Sequence, residues 1–166
     1  YMCFKAVEED FIDFVIKETA EKFGFPCKVY EPGELQPGYG RLAMFDIPTG
    51  HKIGVYATVE MAEHHPQIFN PQIWEDEPHG MKVTHFDHAL LYGPNQAIAV
   101  KWFMEVLGFT IAEYVEKPDK SGHLCTWLSA GCKAHDVAIL DFDVPGVLHH
   151  ISFHLPDWNA IGHAAD

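Results

Sequence analysis

The 166-residue chain is 48% apolar, long enough for one domain or two small ones and able to bury a real core. Its formal charge of −13, from 11 Lys and Arg against 24 Asp and Glu, with the basic residues scattered, argues against nucleic acid and against anionic membrane surfaces as partners. No apolar run approaches the roughly 18 residues of a bilayer-spanning helix, no signal peptide is visible, and Cys3, Cys27, Cys125 and Cys132 form no CxxC pair, so the chain reads as a cytoplasmic protein with free thiols.

Tyr1 to Val7 reads as a short apolar strand. A helix is expected over Glu8 to Phe23, with Glu8, Glu9 and Asp10 in the first turn, where the helix dipole favours negative charge. Ile12, Val15, Ile16, Ala20 and Phe23 form its apolar stripe, and Gly24 is placed to end it in a left-handed conformation. Cys27 to Tyr30 is a short strand, and Glu31 to Gly40 a turn-rich connection. Arg41 to Ile47 and His51 to Thr58 are two strands joined by Pro48-Thr49-Gly50. The order is β-α-β-β-β.

Residues 59–82 differ. They hold Pro66, Pro71 and Pro78 and the acidic run Glu75 to Glu77, and they read as a linker between domains. His64, His65 and His79 in this stretch read as solvated. The strand order then repeats. A strand over Val83 to Tyr92 leads to Asn95, a helix N-cap residue, and to a helix ending near Leu107. Its inward positions are Ile98, Ala99, Trp102, Phe103 and Val106. Strands follow near Phe109 to Glu116, His123 to Ser129 and Ala134 to Phe142. A third copy begins at Val147 and turns into a helix at Trp158.

Side chains alternate along a strand, so Thr84, Phe86, His88, Leu90 and Tyr92 are expected to share one face. A lone histidine in such a row is a hydrogen-bonded core residue or a ligand. The second strand of this type, VLHHISFHL over Val147 to Leu155, places His150 in correspondence with His88, one repeat away. A small open sheet with one helix is best covered by a second copy. Two paired units enclose a cleft to which each first strand can present an imidazole.

HFDHALLYG (85–93), WFMEVLGF (102–109), KAHDVAIL (133–140), LHHISFHL (148–155) and FDIPTGHKIGVYA (45–57) resemble the extradiol ring-cleaving dioxygenases of the vicinal oxygen chelate superfamily, most closely those acting on catechol. The resemblance covers almost the whole chain. It implies an α+β fold of paired β-α-β-β-β modules, here truncated at both ends, as expected of an internal piece that opens on Tyr rather than Met. Residues 1–58 would be the second module of an N-terminal domain, and 83–166 an incomplete C-terminal catalytic domain.

The resemblance also implies a mononuclear Fe(II) site held by two histidines and one carboxylate. His88 and His150 match the two histidine ligands, and the Glu ligand is expected beyond Asp166. His135 matches a histidine beside the oxygen-binding position, with a proton-transfer role, and Val137 and Ile139 would give it an apolar wall. In the first unit Gly54 stands where related metal-binding units carry an acid, so that unit is expected to have a structural or access role. The implied reaction is cleavage of catechol, or a substituted catechol, by dioxygen to a 2-hydroxymuconic semialdehyde, by a homo-oligomer, commonly a tetramer. Two alternatives stay open: a glyoxalase-like isomerase using Zn or Ni, and a non-catalytic module that binds a small aromatic molecule.

Overall fold

The computed structural model describes residues 1–61 and 83–165. Most of the expected linker, with His64, His65 and His79, lies outside the described residues. The first unit comprises β1 (Met2–Lys5), α1 (Asp10–Lys22), β2 (Cys27–Tyr30), β3 (Leu42–Asp46) and β4 (Lys52–Tyr56). The second comprises β5 (His85–Gly93), α2 (Gln96–Glu105), β6 (Thr110–Glu116), β7 (His123–Ser129) and β8 (Val137–Asp141). Then come β9 (Val147–His154) and α3 (Trp158–Ala165). The order read from the sequence is present, with strand and helix ends moved by a few residues.

One sheet runs β1-β4-β3-β2 and the other β6-β7-β8-β5-β9. In each unit the first strand lies parallel to the last, and the remaining pairs are antiparallel. The parallel contact requires a crossover, and the helix supplies it. β9, the start of the third copy, adds antiparallel to the free side of β5.

Both helices depart from their expected stripes for reasons of hydrogen bonding. Along α1, Ile12 and Val15 are buried as expected, but the next buried residue is Thr19, while Ala20 is exposed. Thr19 goes inward because its hydroxyl accepts the indole N–H of Trp102 at 2.8 Å. Buried indoles require such a partner. Gly24 ends the helix with φ of 66° and donates its N–H to the Thr19 carbonyl at 2.8 Å, the left-handed stop expected of it.

Along α2, Ile98 is 46% exposed, whereas Gln96 is buried. Its amide donates to Thr126 Oγ1 at 2.6 Å and to the Ile139 carbonyl at 3.3 Å, tying the helix to β7 and β8. Asn95 occupies the N-cap position but makes no side-chain cap there. It has φ of 57° and ψ of 32°, a left-handed conformation that asparagine tolerates better than most residues.

The two units share one apolar core. Ile12, Val15, Phe45 and Ile53 of the first belong to the same buried cluster as Trp102, Phe103, Leu128 and Ile139 of the second. Phe45 lies 5.5 Å from the Trp102 ring, and Phe4 of β1 packs edge-on against Phe103 and Phe109. The Pro48-Thr49-Gly50 turn also reaches across. Gly146 N–H donates to the Thr49 carbonyl at 2.8 Å, and His51 Nε2 lies 3.2 Å from the Val147 carbonyl. The carbonyl only accepts, so His51 carries its proton on Nε2 and accepts from the Thr49 hydroxyl at Nδ1, 3.0 Å away.

Candidate functional site

The site is built on the β5–β9 ladder, which is not regular. His85 pairs with His154 and Phe86 with Phe153, but His88 then pairs with Ser152, Ala89 with Ile151 and Leu90 with His150, before Leu91 pairs with Leu148. Asp87 is the extra residue on β5, and His149 the extra residue on β9. Two β-bulges on opposite strands thus compensate each other. Between them the ladder is shifted by one residue, and in a strand such a shift exchanges the two faces.

The shift corrects the expected face of β5. Phe86 does not share a side with His88 and Leu90. It lines, with Ala89, Leu91 and Ile151, a cavity of about 440 Å³ against Met2 and Ile53 of the first unit. Val137 and Ile139 also lie in the shared core, in register with Ala89 and Leu91, so they do not wall the His135 side. His88 and Leu90, with their partners Ser152 and His150, form the opposite face.

On that face the histidines converge. His88 Nε2 and His150 Nε2 are 3.2 Å apart. His135 lies just before β8, and its ring centroid is 4.2 Å from that of His88. Its Nε2 is buried with no hydrogen-bond partner. Desolvation holds His135 below the usual imidazole pKa, and the neighbouring His88 adds to the effect. His150 is lowered too, first by desolvation and then by His149 and His88.

The turn that carries His135 is pinned to the bulge. Lys133 Nζ reaches the Asp87 carbonyl and lies 2.9 Å from Asp136 Oδ1. Asp136 Oδ2 accepts the Ala130 N–H at 2.8 Å, and Ala89 N–H donates to the Asp136 carbonyl at 3.2 Å. Asp87 Oδ2 in turn lies 2.7 Å from His88 Nδ1, and that hydrogen bond holds the Asp87 carboxyl below its ordinary pKa. Sequence reasoning missed Asp87, Lys133, Asp136 and His149. The DH and HH dipeptides were the available signal for two of them.

The donor chemistry fits a metal ion. Nitrogen ligands sit about 2.0–2.1 Å from a first-row divalent ion, which places two adjacent ones about 3 Å apart, close to the observed separation. The unpartnered His135 Nε2 beside them is a buried polar atom waiting for a partner. Among the described residues no group of three or more His, Cys, Asp and Glu side chains is arranged to hold a metal. Among them, too, no helix is long and apolar enough to cross a membrane.

Comparison with known proteins bears on the family and the fold. Residues 1–60 match the family model of the catechol 2,3-dioxygenase-like N-terminal domain. Residues 85–166 match that of the glyoxalase/bleomycin resistance protein/dioxygenase superfamily. The chain is 35% identical over 167 residues to a metapyrocatechase from Pseudomonas sp. (strain CF600), covering 100% of this chain and 53% of that relative. A metapyrocatechase from Geobacillus stearothermophilus is 25% identical over 123 residues, 70% of this chain and 36% of the relative. The chain therefore spans about half the length, or less, of these relatives.

Among solved structures, the 2,3-dioxygenase LapB from Pseudomonas sp. KL28 superposes with a TM-score of 0.83 at 32% identity, over 98% of this chain and 56% of that one. Homoprotocatechuate 2,3-dioxygenase from Arthrobacter globiformis, at 17% identity and a TM-score of 0.76 over 98% of this chain and 47% of its own, shares the fold. Residues 1–60 thus form a catechol 2,3-dioxygenase-like N-terminal domain and residues 85–166 belong to the glyoxalase/bleomycin resistance protein/dioxygenase superfamily, in a chain of vicinal oxygen chelate fold that resembles extradiol dioxygenases along its whole length.

Proposed function

We propose that the chain supplies two metal ligands and a proton-transfer histidine to an extradiol dioxygenase, which cleaves catechol with dioxygen at a non-haem Fe(II) site. The product would be 2-hydroxymuconic semialdehyde, in the breakdown of aromatic compounds. The observation that carries this reading is the 3.2 Å approach of His88 Nε2 and His150 Nε2 on one face of the sheet. His88 and His150 would hold the metal, with a Glu carried beyond Asp166 as third ligand. Two imidazoles and a carboxylate are the donor set of mononuclear Fe(II) oxygenases, and the bound ion would supply open positions where a diol and dioxygen meet.

The chain's own residues do the rest. The bulge at Asp87 and its Lys133 contact hold the His135 ring against His88. His135 stays neutral at neutral pH because burial disfavours its charged form. Its Nε2 can then take a proton from a substrate hydroxyl and return it later, which is general acid–base work. The rigid turn fixes that atom in place, so little ordering is left for the moment of reaction. Assembly as a homo-oligomer belongs to this reading, and light scattering of the purified protein tests it.

The deciding experiment is oxygen uptake with catechol under Fe(II), using the protein together with the coding sequence after Asp166. One dioxygen consumed per catechol, with a yellow product, is expected. Zn- or Ni-dependent isomerase activity without oxygen uptake would replace this reading by the glyoxalase-like one. Residues 1–166 alone should retain iron weakly or not at all, and tight stoichiometric iron in them would contradict the ligand set.

A further inference from the structure

The two bulges share a pattern. Each inserts one residue immediately before a histidine of the convergent pair, and each inserted side chain touches that histidine at Nδ1. Asp87 Oδ2 is 2.7 Å from His88 Nδ1, and His149 Nδ1 is 2.7 Å from His150 Nδ1. We propose that Asp87 and His149 are positioning residues that hold the two rings by Nδ1 so that both Nε2 atoms meet at one point, and that His149 lets His150 exchange tautomers without losing its partner. The inference rests on reading His88 and His150 as metal ligands.

The hydrogen bonds follow one direction. A carboxylate only accepts, so His88 donates its Nδ1–H to Asp87, which leaves Nε2 of the neutral ring with a bare lone pair. That atom can only accept, so across the 3.2 Å gap the donor is His150 Nε2–H. A neutral His150 protonated at Nε2 is bare at Nδ1, where it accepts from His149 Nδ1–H. Tyr92 stacks on the His149 ring, 4.8 Å between centroids and 27° between planes, and steadies it. Three imidazoles and one carboxylate are thereby satisfied in series, every donor pointing towards Asp87.

To ligate a divalent cation, His88 and His150 would both have to offer the Nε2 lone pair. His150 would then carry its proton on Nδ1 and donate it to His149 Nδ1. His149 moves its own proton to Nε2, and because the residue is exposed water can accept from it there. Each ring keeps one proton throughout, and none is released. Without His149, the Nδ1–H form of His150 would have no protein acceptor among these contacts. Outer partners of this kind orient ligating histidines and fix their tautomers.

The test is histidine tautomer assignment by nitrogen–proton correlation NMR on the metal-free chain, followed by titration with Zn(II) as a diamagnetic probe. Metal-free protein should show His88 protonated at Nδ1, His150 at Nε2 and His149 at Nδ1. Zn(II) should move the protons of His150 and His149 to Nδ1 and Nε2 respectively. Asp87→Ala should return His88 to the Nε2–H form. His149→Ala should weaken Zn(II) binding about 10- to 100-fold. His149→Asn should restore it, because an amide can turn either its oxygen or its nitrogen towards Nδ1.

The inference is overturned by an Nε2–H His88 in metal-free wild type, by a His149 that keeps its tautomer through the titration, or by undiminished Zn(II) binding in His149→Ala. Should that variant disturb β9, the wild-type assignments alone still decide. The metal-free half needs neither iron nor catechol. An intact hydrogen-bond series with no oxygen uptake would therefore remove the ring-cleavage reading and leave the positioning role standing.

Discussion

In the first unit, β1 runs beside β4 without interruption, Met2 opposite Ile53 through Lys5 opposite Tyr56. In the second, β5 runs beside β8 in the same parallel sense, Ala89 opposite Val137 through Gly93 opposite Asp141, but its other side is the bulged ladder with β9. The inner strand pairs are alike, and the converging histidines lie outside the first unit, on β5, just before β8 and on β9. At the place where an acid would matter in the first unit stands Gly54, and a Cβ there would come within 2.4 Å of Cys3 Sγ. The contrast teaches that the repeated scaffold carries no chemistry by itself. What differs is a one-residue insertion that aims a side chain.

The sharpest way to test this contrast is to remove a converging imidazole. His88→Ala or His150→Ala should abolish metal binding and bring ring cleavage to background, a loss beyond the roughly 10- to 100-fold typical of an outer partner. Iron analysis and oxygen uptake measure it. Next comes His135→Ala in the protein carried past Asp166, expected to lower turnover by about 10² to 10⁴ while iron stays bound. Loss of the metal in that variant would make His135 a ligand or a structural residue.

Trp102→Ala strikes what the two units have in common. It empties a buried indole site and leaves the Thr19 hydroxyl without its donor, so about 3–5 kcal/mol of stability should go, read by urea unfolding. Gly54→Ala should cost about 1–3 kcal/mol by overpacking against Cys3 and Met44 and leave metal affinity unchanged. A fall in affinity would break the separation between the units.

The smallest effect is a pH dependence that draws one histidine from each unit. Burial lowers the pKa of His51 and of His135 below 6.5. The unfolded chain titrates near 6.5 and so binds protons that the folded chain refuses. Stability is then complete above about pH 6.5 and declines as pH falls through that value towards the lowered native pKa. His51→Gln should flatten the acid side of a plot of unfolding midpoint against pH.

Much of this molecule was legible in its residues. The β-α-β-β-β order followed from apolar periodicity punctuated by Gly24 and the Pro48-Thr49-Gly50 turn. The correspondence of His88 with His150 followed from the repeat. The bulges were not legible, because alternation assumes a constant phase, and a single inserted Asp87 or His149 looks like any other strand residue. That is why Phe86 was expected beside His88. Val137 and Ile139 were assigned to the wrong side for another reason: alternation was counted from His135, which lies in the turn before β8 begins at Val137. Thr19 and Gln96 escaped for a different reason: each is a polar residue made inward-facing by a distant partner, Trp102 or Thr126. Apolar patterning cannot report such partners.

The indole–hydroxyl bond between Trp102 and Thr19 has a calorimetric consequence. Neither half owns a private interior that could melt while the other persists, because Ile12 and Phe45 rest on the same cluster as Leu128 and Ile139. Heating should therefore dissolve both halves in a single endotherm whose calorimetric and van't Hoff enthalpies agree, and severed halves should find each other again in solution.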